Sequence, residues 1–177
     1  MTIKYKQNEL FFGFGANHDD AMIEAIIGRR PRNLGKVTLH GYELCVQKLE
    51  DITDRGANPR AILSEAWGDD FESYVIRENR DSKVIGTLYE MTRRERVMVD
   101  IWELVHDDWQ QSIELTVELE DGSEVMARTQ LLNPGQSIDR VVPEEFDKPW
   151  LMPRSDFVRI ARWDSRRYFD ILQQMGY

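Results

Sequence analysis

Apolar and aromatic residues fill the run Leu10-Phe11-Phe12-Gly13-Phe14 almost without a polar break, which predicts a strand over residues 9–14 with both faces buried. The pattern then changes period. Asp19 or Asp20 can cap a helix that carries Met22, Ile23, Ala25, Ile26 and Ile27 and stops near Gly28. Residues 29–35 hold Pro and Gly and read as a loop, and residues 36–49 alternate well enough for a strand. A turn-rich stretch over 51–59 leads to a short helix over 60–67. Strands over 72–78 and 84–90, joined by the polar turn 79–83, predict a hairpin.

Thr92 and Glu95 have the spacing of a capping box, so a helix is expected from there through Val105. Residues 111–119 and 124–132 flank Asp121-Gly122, the strongest hairpin signal in the chain. Residues 133–153 are irregular and contain four prolines, after which Ser155 can cap a last helix to about Met175. Short strands mixed with three or four helices predict an α+β, barrel-like domain rather than a doubly wound sheet.

Length and composition narrow the classes. The 177 residues, 41% hydrophobic and 31% charged, suit one globular domain. A net charge of −9 argues against a nucleic-acid surface, which should be basic. Residues 151–177 carry five Arg against three Asp, leaving −11 elsewhere, and this predicts a basic helix docked on an acidic body. Cys45 is the single cysteine and sits in a strand-like run, as a small hydrophobe would. No stretch approaches the roughly 20 apolar residues of a membrane helix, and residues 1–8 lack a signal peptide's apolar core. A cytoplasmic protein, monomer or dimer, is expected. His18, His40 and His106 are too scattered for a metal site, so none is expected.

Candidate chemistry begins where the first strand ends, in Phe11-Phe12-Gly13-Phe14-Gly15-Ala16-Asn17-His18. A strand, a glycine bend and a helix suggest a dinucleotide fingerprint, but its third glycine would fall on His18. No Gly-Lys-Ser/Thr follows for a phosphate loop either. What such a bend does offer is backbone N–H groups converging at a helix N-terminus, suited to an anion.

Five pieces in order resemble the gamma-glutamylcyclotransferase-like family. Phe14-Gly15-Ala16-Asn17-His18 stands where that family has a Tyr-Gly-Ser-Asn-Leu-type loop. Leu39-His40-Gly41-Tyr42 and Val84-Ile85-Gly86-Thr87-Leu88-Tyr89 look like two of its strands. Val99-Asp100-Ile101-Trp102-Glu103 is similar to its Leu-Asp-x-x-Glu helix, and Ser165-Arg166-Arg167-Tyr168 to its closing Ser-x-x-Tyr helix. Residues 53–73 and 133–153 then read as insertions in a single domain spanning 1–177, with a C-terminal helix near 155–175.

The resemblance implies a small mixed β-barrel flanked by helices and a reaction without metal or cofactor. The α-amine of a γ-glutamyl amine or γ-glutamyl amino acid would attack its own γ-carbonyl, releasing 5-oxoproline and the amine. Gly15, Ala16 and Asn17 would cradle the α-carboxylate through their amides, beside Phe14. Glu103 would serve as base and then acid, its pKa raised by apolar neighbours. Trp109, near a family tyrosine, would help wall the pocket. The departures Phe14, Ala16 and Trp109 imply either a different amine or a scaffold that binds a small ligand without turning it over.

Overall fold

The strands β1 (Asn8–Gly13), β2 (Arg32–Lys48), β3 (Glu72–Thr92), β4 (Gln110–Leu119) and β5 (Glu124–Leu132) close on themselves. β1 pairs antiparallel with β3 and parallel with β5, β5 pairs with β4, β4 with β2, and β2 with β3. The result is a five-stranded mixed barrel, with the two-residue β6 (Arg140–Val141) added to the far edge of β2. The computed structural model describes residues 8–54, 58–143 and 151–177, apart from the side chains of 163–170. Ser165 and Tyr168 of the expected closing motif are among those undescribed side chains.

The uninterrupted apolar run of β1 has a direct reason. Phe12 points into the barrel with Val37, Leu39, Ile76, Val84, Leu88, Val117 and Ala127, all from strands. Its neighbour Phe11 points the other way, onto Met22, Ile23 and Ile26 of α1 (Asp20–Ile27) and Val97 and Ile101 of α3 (Arg93–Trp102). Both phenylalanines are fully buried, each worth about 2–3 kcal/mol in transfer terms. A third cluster, containing Leu63, Phe71, Leu104 and Trp109, forms beneath α2 (Pro59–Trp67).

Helix boundaries follow local chemistry. The Asp19 carboxylate accepts from Ala21 N–H at 2.8 Å, and Gly28 closes α1 in the left-handed region. Thr92 and Glu95 form the capping box of α3 in both directions. The last helix, α4 (Arg154–Gln174), packs on α1 and α3. Arg154 ties it to the α1 cap by an ion pair to Asp19 at 2.8 Å, as expected of a basic helix docked on an acidic body. No helix among the described residues is long and apolar enough to cross a membrane.

Four expectations are corrected. Residues 72–90 are not a hairpin but part of one continuous strand, because both halves pair with β2 rather than with each other. The polar residues 79–82 bulge opposite Gly41, where Asn79 Oδ1 accepts from Asp81 N–H and the ladder shifts register. Residues 32–35 belong to β2, with Gly35 at a bulge, instead of to a loop. α3 stops at Trp102, since Leu104 takes φ +51° and turns the chain out of the helix. Ser155 lies inside α4 and does not cap it; Pro153 holds the cap position.

Candidate functional site

Where β1 ends, the glycines are dictated by close backbone contacts. A Cβ at Gly13 would lie 2.2 Å from the Asn17 carbonyl oxygen. One at Gly15 would lie 2.8 Å from Tyr74 Cβ, on a residue whose φ of +55° already disfavours a side chain. With both positions bare, residues Gly15–His18 coil into a single 3₁₀ turn ahead of α1.

Among the described residues, that turn leaves two backbone donors without an acceptor at its start. Asn17 N–H is committed to the Phe14 carbonyl at 3.0 Å, so it is not part of the expected three-amide cradle. The N–H groups of Gly15 and Ala16 precede the first bond of the turn and have no acceptor within it. The cup is therefore two amides wide, and Asn17 contributes its side chain instead.

Asn17 Nδ2 donates to Glu103 Oε1 at 2.6 Å, and Gln110 Nε2 donates to Glu103 Oε2 at 2.8 Å. Two side-chain amides thus clamp one carboxylate, one from 86 positions away and one from seven. Glu103 caps α3 at its C-terminus, and the following left-handed residues Leu104 and Asp108 fold the chain back so that Gln110 starts β4 beside it. Non-glycine residues in that region are uncommon and cluster at functional sites.

Burial is the main influence on this carboxyl and pushes it up to about 7, from an ordinary 4.5. The two clamping amides favour the anion and pull the value down, while the neighbouring Asp100 carboxylate raises it. Asp100, three residues earlier, is itself buried. It is ion-paired to Arg96 and accepts from Gln130 Nε2 at 2.8 Å, so it braces the helix from within. Asn17 Oδ1 and Gln110 Oε1 are buried without hydrogen-bond partners among the described residues. When Glu103 takes up a proton, either amide can present that oxygen to the new O–H by turning over.

A cavity of about 60 Å³ reaches this carboxylate, room for roughly four or five water-sized occupants in its deep part. Phe14, Ala16, Asn17, Glu103 and Trp109 all line it. The structure thus brings five of the residues singled out in the sequence to one hollow, with Gly15 immediately behind in the turn. Trp109 is buried and fixed by its indole N–H donating to Gln47 Oε1 at 2.8 Å. His18 is exposed and does not line the cavity, its ring Nδ1 lying 2.7 Å from the hydroxyl of the buried Thr87. Cys45 is buried in the barrel wall and its thiol is pushed up to about 11 by burial, so it is no nucleophile.

Sequence reasoning missed Gln110 and the wall formed by Leu63 and Trp67 of α2 and Phe157 and Ile160 of α4. The four-residue spacing of Leu63 and Trp67 marks an inward face of α2. Nothing local marks Gln110, whose role depends on a turn seven residues long.

This barrel, with its N-terminal glycine turn and flanking helices, is the gamma-glutamylcyclotransferase-like fold. A solved gamma-glutamyl cyclotransferase superposes with a TM-score of 0.61 at 13% identity, over 96% of this chain and 87% of its own. A protein from Homo sapiens described as uncharacterized gives 0.60 at 14% identity with the same coverage. An Arabidopsis thaliana protein solved in solution gives 0.52 at 15% identity, covering 97% of this chain and 95% of its own. No family model matches the sequence, and no curated protein does.

Proposed function

We propose that the chain cyclises the γ-glutamyl group of a γ-glutamyl amine or amino acid to 5-oxoproline, with Glu103 moving the protons. The observation that carries this reading is the clamped Glu103 carboxylate, poised near neutrality, in the same hollow as the open glycine turn. A solved protein of the same fold is named a gamma-glutamyl cyclotransferase, which agrees with it.

The steps follow from the chemistry of the groups. The substrate α-carboxylate accepts from Gly15 and Ala16 N–H at the helix end. Glu103 as carboxylate takes a proton from the α-ammonium, freeing its lone pair to attack the γ-carbonyl carbon. A new C–N bond closes the five-membered ring. Glu103, now neutral, gives that proton to the departing nitrogen as the old C–N bond breaks, and then carries the ring nitrogen's extra proton to the freed amine, which leaves as an ammonium ion. No water is consumed. Because both reacting groups belong to one molecule, holding it folded supplies much of the rate. A base near 7 is suited to both transfers at neutral pH.

The test is incubation with a panel of γ-glutamyl amides and dipeptides, following 5-oxoproline by chromatography. Release by the native chain and none by Glu103→Gln is the expected result. Binding of γ-glutamyl compounds with no turnover in either protein would instead make this a ligand-binding scaffold.

A further inference from the structure

We infer that the amine released by this site is apolar and carries no carboxylate, so that γ-glutamyl derivatives of alkyl or arylalkyl amines are preferred over γ-glutamyl amino acids. The inference rests on the cyclisation reading and adds the identity of the leaving side.

Beyond the cup and Glu103, the hollow is walled mainly by hydrocarbon and aromatic rings, with Ser73 and Tyr74 its uncharged polar residues and Ser73 Oγ donating to the Tyr74 carbonyl. Trp67 is its centre: its ring lies 4.6 Å from Phe157, 5.9 Å from Phe71 and 6.1 Å from Trp102, centroid to centroid. Ile62 and Ile160 complete that wall, on α2 and α4. Ile62, Trp67 and Phe71 come from the segment 53–73 that reads as an addition in the sequence, whereas Trp102 belongs to α3 and Phe157 and Ile160 to α4. Among the described residues, no Lys, Arg or His lines the cavity, and its one acidic side chain is Glu103.

A γ-glutamyl amino acid brings two carboxylates. The first has the two amides of the glycine turn. The second would be carried on the leaving nitrogen, next to Glu103 and against rings, with no cation to receive it. An unpaired buried charge is strongly disfavoured, and a like charge nearby makes it worse. The chain's net charge of −9 also repels a substrate of net −1 relative to one of net zero. An apolar amine meets none of these penalties and gains contact with Trp67.

Two compounds differ by that one carboxylate: γ-glutamyl isopentylamide and γ-glutamyl leucine. With γ-glutamyl methylamide as the truncated control, kcat/KM is measured from 5-oxoproline release. The isopentylamide is expected to exceed both others by tenfold or more, and Trp67→Ala to shrink its lead over the methylamide to threefold or less. Turnover of the leucine compound within threefold of the isopentylamide, or above it, overturns the inference while leaving cyclisation standing. If none of the three is cyclised, the reaction proposed above fails. Calorimetric binding to Glu103→Gln then decides: tenfold tighter binding of the isopentylamide upholds the apolar, carboxylate-excluding site, and equal or absent binding overturns it.

Discussion

Replacing Glu103 by Gln should make the protein inactive and, above neutral pH, more stable. The substitution keeps the shape of the side chain and removes its ability to ionise. In the native chain, burial holds the Glu103 proton up to about pH 7, whereas the unfolded chain releases it near 4.5. Between those values the native state binds more protons than the unfolded one, so stability falls as pH rises through this window. At about 1.4 kcal/mol per pH unit, the gap from 4.5 to about 7 corresponds to about 3 kcal/mol lost by pH 8.

The Gln variant escapes that loss. Its amide can donate to Asn17 Oδ1 or Gln110 Oε1, both buried and unpartnered in the native protein among the described residues. Urea unfolding at pH 5, 6, 7 and 8, followed by tryptophan fluorescence, gives the stability difference at each pH. The difference should grow by about 2–3 kcal/mol from pH 5 to pH 8, and any constant effect of the substitution cancels from that trend. A flat difference would mean that Glu103 titrates alike in the folded and unfolded chains. The buried, clamped carboxyl at the centre of the proposed chemistry would then be refuted.

Two further outcomes follow from the same geometry. Gln110→Leu removes one of the two hydrogen bonds that favour the Glu103 anion, so the acid limb of the kcat/KM profile should move to higher pH; an unmoved limb would remove Gln110 from the positioning of Glu103. Gly15→Ala forces a Cβ into Tyr74 on a left-handed residue and should destabilise the protein by about 1–3 kcal/mol, with raised KM, whereas unchanged thermal unfolding and KM would show that the turn is not so constrained.

The order of strands and helices was legible because most signals were local. The period-two runs, the Thr92–Glu95 box, the Asp19 cap and Gly28 each act within a few residues, where side chain and backbone meet directly. The errors arose where distant partners decided. Residues 79–82 look like a turn, yet β2 runs past them and binds both flanks, so the chain bulges rather than reversing. α3 looks continuous past Glu103, yet Leu104 leaves the helix to send Trp109 and Gln110 back toward the barrel.

For the site, the two glycines and the acidic residue could be read from the chain, since each is a choice of residue type that a bend or a proton transfer requires. Their meeting could not. Asn17 and Glu103 are 86 positions apart and touch only because β1 and α3 pack on a shared barrel. Burial, which sets the proton affinity of Glu103, is likewise a property of the assembled surroundings. So are the ring cluster around Trp67 and the clamp from Gln110, which draw on separate elements. Local sequence determines what each segment can form, because hydrogen bonds within a turn or cap are short-range. Only tertiary packing determines which groups lose water together, and that is what the chemistry of this hollow depends on.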